Sequence, residues 1–248
     1  MAHGDSLAMT VEATHRSLEA RVAAARAPNP DRPRDTPDAF LAATSRHLAA
    51  VEAVLVPRVR KRAPDGDALS VEYLAVARSL EQTLTLVKAR LYGEFHAVRL
   101  SWPQLWRAVQ TQLSEHNRIE LRLVDALIRY DEPDSLDGLA QRVFDAETRA
   151  PTRPHPHLPH TGKASLVARS LWAVADRFWD RAEGRVIPAP VHPVPHHHDS
   201  LLGQYLVGDP HFEADAPFLT HRHHGRLNGG SSTSQENRVV EKFEDPNL

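Results

Sequence analysis

The sequence has no cysteine, little glycine and few aromatic residues. Its 248 residues include no Cys and 11 Gly, and Phe, Trp and Tyr together make up 6%. Without cysteine the chain has no disulfide, Cys-ligated zinc site, iron–sulfur cluster or thiol nucleophile. The patterns GxGxxG, GxxxxGK[ST], GxSxG and HExxH are also missing. This excludes the common phosphate-binding loops, the nucleophile elbow and the HExxH zinc motif.

A strong excess of one charge is lacking too. The chain has 30 basic and 32 acidic residues and a formal net charge of −2, which favours neither nucleic acid nor an anionic membrane as a partner. No uninterrupted apolar run reaches the ~18 residues that a membrane span needs, and the N-terminus shows no charged-then-apolar export signal. We therefore expect a cytoplasmic protein that binds neither membranes nor nucleic acid.

The abundant residues favour helices. Hydrophobic residues make up 41% of the chain, and the many Ala, Leu and Val among them suit packed helices better than sheets. Apolar residues recur at intervals of three and four along stretches joined by short connections, which is typical of antiparallel helices. The predicted fold is all-α, an up-down-up-down four-helix bundle with an extra N-terminal helix and a C-terminal docking helix.

Changes in composition divide the chain into four segments. The bundle helices are predicted at about 37–61 (with Thr36 as the N-cap), 68–98, 101–130 and 135–149. The segments are an N-terminal helix with a Pro-rich linker (1–36), the bundle (37–150), a Pro/His strap with the docking helix (151–188), and a largely disordered His/Pro-rich tail (189–248).

The clearest chemical signal is the pair His116 and Glu120. At a spacing of i,i+4 on one helix, the two side chains share a face and can bind one metal ion. Short loops also place residues at equal distances from a loop at the same level of neighbouring helices, and a shift of two positions is only about 3 Å. This rule brings five residues, one or two from each helix, to one level: His47, Glu81, His116, Glu120 and Glu147. Inward-facing His and carboxylate groups of this kind form the metal sites of helical bundles.

The same residues also have purely structural interpretations. Glu81 can lie at the edge of its helix beside a surface Arg, Glu147 can be solvated near a helix end, and His47 can be a hydrogen-bonded core histidine. The strap begins beside the predicted metal level. Its prolines favour a rigid cover, and His155 is the strap residue best placed to supply a further imidazole.

Two segments of the bundle resemble ligand helices of hemerythrin-like (HHE cation-binding) domains. They are SRHLAAVEAVLVP (45–57) and SEHNRIE (114–120), and the later segments TRPHPHLPHTG (152–162) and DRFWDRAEG (176–184) resemble the extension of actinobacterial members. The HxxxE spacing of that family, counted from His47, falls on Val51, beside Glu52. The HxxxH pair of the oxygen-carrying members stands here as His116 with Glu120, so the implied ligand set is poorer in His and richer in carboxylate than theirs.

The resemblance implies a non-haem di-iron protein that binds or reduces O₂, peroxide or NO. Its iron would be held by the five residues above and His155. The implied partner is thus a small diatomic ligand or peroxide, and no protein partner is identified. Two other functions stay open. One is a metal-free interaction or scaffold protein on a degenerate hemerythrin fold, and the other is a zinc or nickel store formed by the histidines of the tail.

Overall fold

The computed structural model describes residues 4–93, 99–136, 138–154 and 187–195, together with 173, 175, 176, 180 and 185. Within these residues the regular secondary structure is helical and no strand occurs, which confirms the all-α prediction for this part of the chain. The up-down-up-down four-helix arrangement itself stays a prediction. The helices are α1 (Asp5–Arg26), α2 (Asp35–Arg62), α3 (Gly66–Leu91), α4 (Trp102–Tyr130), α5 (Pro133–Leu136) and α6 (Leu139–Arg149).

Helix α1 belongs to the core. It packs against α2, α4 and α6, and its apolar stripe of Val11, Leu18 and Val22 is buried. The sequence predicted this helix as an extra element, separated from the bundle by a Pro-rich linker. In the structure that stripe closes the gap between α2 and α4, so α1 takes part in the same hydrophobic cluster as the other long helices.

Helix α2 lies at the centre and contacts α1, α3, α4 and α6. It begins at Asp35, so Thr36 lies inside its first turn and does not act as the N-cap. The helix continues through Pro57 to Arg62. By length and composition α2 is apolar enough to cross a membrane, but 78% of its most apolar window is buried in the protein. A buried core helix passes the same test, so the finding is weak evidence for a span.

Helix α3 ends at Leu91, well before the predicted end near Val98. Tyr92 is the C-cap, and Gly93 follows with a φ of 92°. This left-handed conformation costs glycine little and is a common helix stop. The early end shifts the level at which α3 meets α4. Gln112 of α4 donates a hydrogen bond to Ser79 of α3 over 3.0 Å.

Residues 187–195 form an extended segment that crosses α1 and α2. The backbone N–H of Val194 donates to the Thr10 hydroxyl over 2.9 Å, and the Ser6 hydroxyl donates to the Val194 carbonyl. The Arg46 guanidinium donates to the Pro188 carbonyl over 2.8 Å. The first residues of the predicted tail are therefore packed on the helices. The docking helix lies mostly, and the rest of the tail entirely, outside the described residues.

Candidate metal centre

Four buried side chains from three helices converge at one point. His15 comes from α1, His47 from α2, and His116 and Glu120 from α4. One ligand atom of each lies within 4.8 Å of the others. None of the four residues is more than 5% exposed. They sit on the buried faces of their helices, where most neighbours are apolar.

The Oε2 atom of Glu120 is the centre of the cluster. The Nε2 atoms of His47, His15 and His116 lie 2.8, 2.9 and 3.7 Å from it, respectively. An ion with tetrahedral bonds of about 2.1 Å holds its ligand atoms about 3.4 Å apart. Each of the three distances from an imidazole Nε2 to Oε2 of Glu120 differs from this value by less than an ångström. Oε1 of Glu120 is buried and has no hydrogen-bond partner among the described residues. A free carboxylate oxygen in a dry core is costly, and a cation would satisfy it.

Glu147 lies behind His47 rather than in the cluster. Its Oε1 is 2.7 Å from Nδ1 of His47, while the His47 Nε2 atom points at Glu120. Such a carboxylate on the far nitrogen fixes the ring and raises its basicity as a metal ligand. Glu147 is itself positioned by α2, because the Arg46 guanidinium donates to its backbone carbonyl over 2.9 Å.

The charges of the cluster are strongly coupled. Burial lowers the pKa of His47, but the charges and hydrogen bonds of Glu120 and Glu147 outweigh it and raise that pKa to about 10. Burial likewise raises the pKa of Glu120, yet His47 and His15 hold it well below its usual range. Without a metal, His47 is therefore an imidazolium that donates to a carboxylate from each nitrogen.

His116 is neutral and its Nε2 atom carries the lone pair. Burial, together with the charges of His47 and His15, lowers its pKa to about 4 against the opposing attraction of Glu120. Its Nδ1 lies 3.4 Å from Oδ1 of Asn117, which is an acceptor, so Nδ1 carries the proton. The Nε2 atom accepts a hydrogen bond from the Tyr73 hydroxyl over 3.1 Å. Tyr73, from α3, is fully buried.

The structure brings together three of the six residues that the sequence analysis selected as metal ligands. His47, His116 and Glu120 are in the cluster, Glu147 contacts it through His47, and His155 lies outside the described residues. Val51, where the HxxxE spacing falls, is completely buried in the apolar core.

Glu81 is not part of the cluster. Tyr73, not Glu81, is the α3 residue that meets His116, and Glu81 lies two turns further along α3, or about 12 Å at 1.5 Å per residue. The expected level was displaced because α3 ends at Leu91 rather than near Val98. Glu81 is buried all the same, with 7% of its surface exposed.

The sequence analysis missed His15 and Tyr73. His15 follows Val11 by four residues and precedes Leu18 by three, so it lies on the buried stripe of α1. A polar, metal-ligating residue on an otherwise apolar stripe was the available signal. Tyr73 lies in an apolar repeat of α3 with Ala77 and Leu80, so its sequence position gave no sign of a polar contact. Comparison of the chain with protein-family models, with curated proteins and with solved structures finds no significant match.

Proposed function

We propose that this chain is a non-haem iron protein of the hemerythrin-like kind that binds or reduces O₂, peroxide or NO. The observation that supports this most directly is the convergence of three imidazoles and one carboxylate within 4.8 Å in a buried site. Imidazole and carboxylate ligands suit iron among the first-row metals, and four protein donors leave an octahedral ion with open positions. Bound iron would supply Lewis acidity and one-electron redox chemistry.

The protein residues have separate roles in this proposal. His15, His47, His116 and Glu120 hold the ion, and Glu147 keeps the His47 ring oriented and basic. Because the four ligands are almost completely buried, only a small molecule fits beside them. The four atoms account for one ion. A second iron, as the di-iron prediction requires, needs further ligands, and Oε1 of Glu120 is the atom through which the two ions would share a carboxylate.

A metal-free scaffold is the second candidate, and one observation favours it. The contacts of His47 with Glu120 and Glu147, at 2.8 and 2.7 Å, satisfy both ring nitrogens without any ion. A protonated His47 between two carboxylates is a stable arrangement in its own right. The two candidates therefore differ in whether the cluster takes up metal at all.

Metal analysis of a full-length variant tests the proposal. In this variant, here called the tail-Gln protein, His196, His197, His198, His221, His223 and His224 are replaced by Gln so that the tail does not bind metal adventitiously. We expect the tail-Gln protein, purified after expression with abundant iron, to retain one iron per chain, or two if the site is dinuclear. Iron content and the optical spectrum are measured together.

Two further variants locate the iron. His116→Ala in the tail-Gln background should lose most of the iron, because it removes a ligand and leaves an uncompensated carboxylate. Glu81→Gln should retain it, since Glu81 lies two turns away from the cluster. A tail-Gln protein that contains no iron and takes up none after anaerobic addition of Fe²⁺ would contradict the proposal and support the scaffold function.

A further inference from the structure

The Tyr73 hydroxyl contacts the ring nitrogen of His116 that faces the cluster. It donates to Nε2 of His116 over 3.1 Å, and the two rings lie 5.4 Å apart between centroids. That Nε2 atom is 3.7 Å from Oε2 of Glu120, so it faces the centre of the cluster. When a metal ion takes the Nε2 lone pair, the hydrogen bond from Tyr73 is broken.

The hydroxyl then stands beside the coordination sphere of the ion. A group 3.1 Å from a ligand atom lies within reach of other positions on the same ion, because neighbouring ligand atoms are themselves about 3 Å apart. Tyr73 is fully buried, and a buried hydroxyl keeps a hydrogen-bond acceptor wherever one is within reach. An acceptor atom on an external ligand in an open position provides one.

We infer that Tyr73 donates a hydrogen bond to the small external ligand of the metal centre and so makes the site selective for ligands with an acceptor atom, such as peroxide and azide. Tyr73 is thus a specificity-determining residue. The inference rests on the proposed function, because it requires an ion held by His116. It adds a residue from α3, a helix that supplies none of the four ligands.

Azide binding to cobalt-loaded protein tests this role. Co²⁺ replaces iron because its visible spectrum reports both metal uptake and azide binding, and azide presents an acceptor nitrogen. In the tail-Gln background, Tyr73→Phe removes the hydroxyl and keeps the ring. A hydrogen bond to a charged group is worth enough for the azide Kd to rise about tenfold or more, while the Co²⁺ affinity stays at the value of the parent protein.

Tyr92→Phe is the matched control. The Tyr92 hydroxyl likewise donates a hydrogen bond, to the carboxylate of Asp38 over 2.8 Å. Asp38 lies nine residues before His47 on α2, about 13 Å along the helix. This variant should bind Co²⁺ and azide as the parent protein does. Equal azide affinity in Tyr73→Phe and the parent, with Co²⁺ bound in both, would overturn the inference and leave the proposed function intact.

A second measurement needs no variant. In the parent protein prepared from D₂O before loading, the antisymmetric stretch of bound azide should shift relative to H₂O, because the Tyr73 hydroxyl is then deuterated. The absence of a shift, or the absence of azide binding to the cobalt protein, overturns the inference. A parent protein that takes up no Co²⁺ overturns both the inference and the proposed function.

Discussion

His47 has two carboxylates as partners, one on each ring nitrogen. Its Nδ1 meets Glu147 and its Nε2 meets Glu120, which is why its pKa is raised to about 10. A metal ion at Nε2 must displace the proton on that atom. Metal uptake near neutral pH would therefore exchange a proton for an ion, with a definite number of protons released per ion.

We expect the tail-Gln protein to release about one proton per ion bound at pH 7. The apparent metal affinity should rise about tenfold for each pH unit between 6.5 and 8.5, because the displaced proton competes less as pH rises. Release is measured with an indicator dye in weak buffer, using Co²⁺ or Zn²⁺. Glu147→Gln, which removes one of the two charges that hold the proton, should weaken this pH dependence. Uptake without proton release would show that His47 does not exchange its Nε2 proton for the ion.

The helices themselves were largely predictable. Ser101 and Pro103 mark the start of α4, where Gln104 accepts a hydrogen bond from the Ser101 N–H over 2.8 Å, and the i,i+4 pair His116 and Glu120 does lie on one buried face. His47 was found by counting residues from the loop between α2 and α3, which is short and well defined. Local sequence therefore identified three of the four cluster residues.

The remaining site residues depend on helix ends and packing that local sequence does not determine. A glycine can pass through a helix or stop it, and Gly93 stops α3. Because α3 ends at Leu91, Tyr73 rather than Glu81 lies at the level of His116. The position of α1 depends on which faces of α2, α4 and α6 remain uncovered, and its short apolar stripe carries no information on that choice. His15 was missed for this reason.

Gly66 and Gly138 both lie at helix starts, but a side chain is disfavoured at each for a different reason. A Cβ on Gly66 would lie 2.1 Å from the backbone carbonyl oxygen of Val59, whereas Gly138 has open space but a φ of 76°. We expect Gly66→Ala to lower the free energy of unfolding by about 1–3 kcal/mol, since the α2 and α3 backbones must separate. Gly138→Ala should cost about 1–2 kcal/mol through strain alone.

Asparagine separates the two mechanisms, because it tolerates the left-handed region better than alanine. Gly138→Asn should recover part of the loss caused by Gly138→Ala, and Gly66→Asn should recover none of the loss caused by Gly66→Ala. Chemical denaturation followed by circular dichroism measures all four variants. Recovery at position 66 would show that packing against Val59 is not the reason for glycine there.

At the scale of the whole molecule, the buried cluster links stability to pH in the metal-free protein, and a bound metal ion would remove that dependence. In the metal-free protein the pKa of His47 is higher when folded, about 10, than its ordinary value of 6.5. The stability that this contributes is present below pH 6.5 and is lost as pH rises towards 10. In a loaded protein, stronger metal binding at higher pH would offset this loss, so the stabilisation by metal would grow with pH while the total stability changed little.

We therefore expect the Tm of the metal-free tail-Gln protein to fall between pH 6.5 and 8.5 more steeply than that of Glu120→Gln, which lacks one of the two charges that hold the His47 proton. The stabilisation gained on adding Co²⁺, measured as the difference in Tm at each pH, should increase over the same range. Differential scanning calorimetry gives both series. A Tm difference that is independent of pH would contradict the linkage between the ion and the His47 proton.

The four cluster residues are spread over a long stretch of chain, and Glu120 follows His15 by 105 positions. During synthesis a ribosome therefore makes His15 first and must add the whole of α2, α3 and most of α4 before the last ligand exists. A nascent chain with only α1 and α2 exposed presents two imidazoles and no carboxylate of the cluster. Loading of the centre is thus confined to the finished helical core, and premature termination before Glu120 yields a product with an incomplete ligand set.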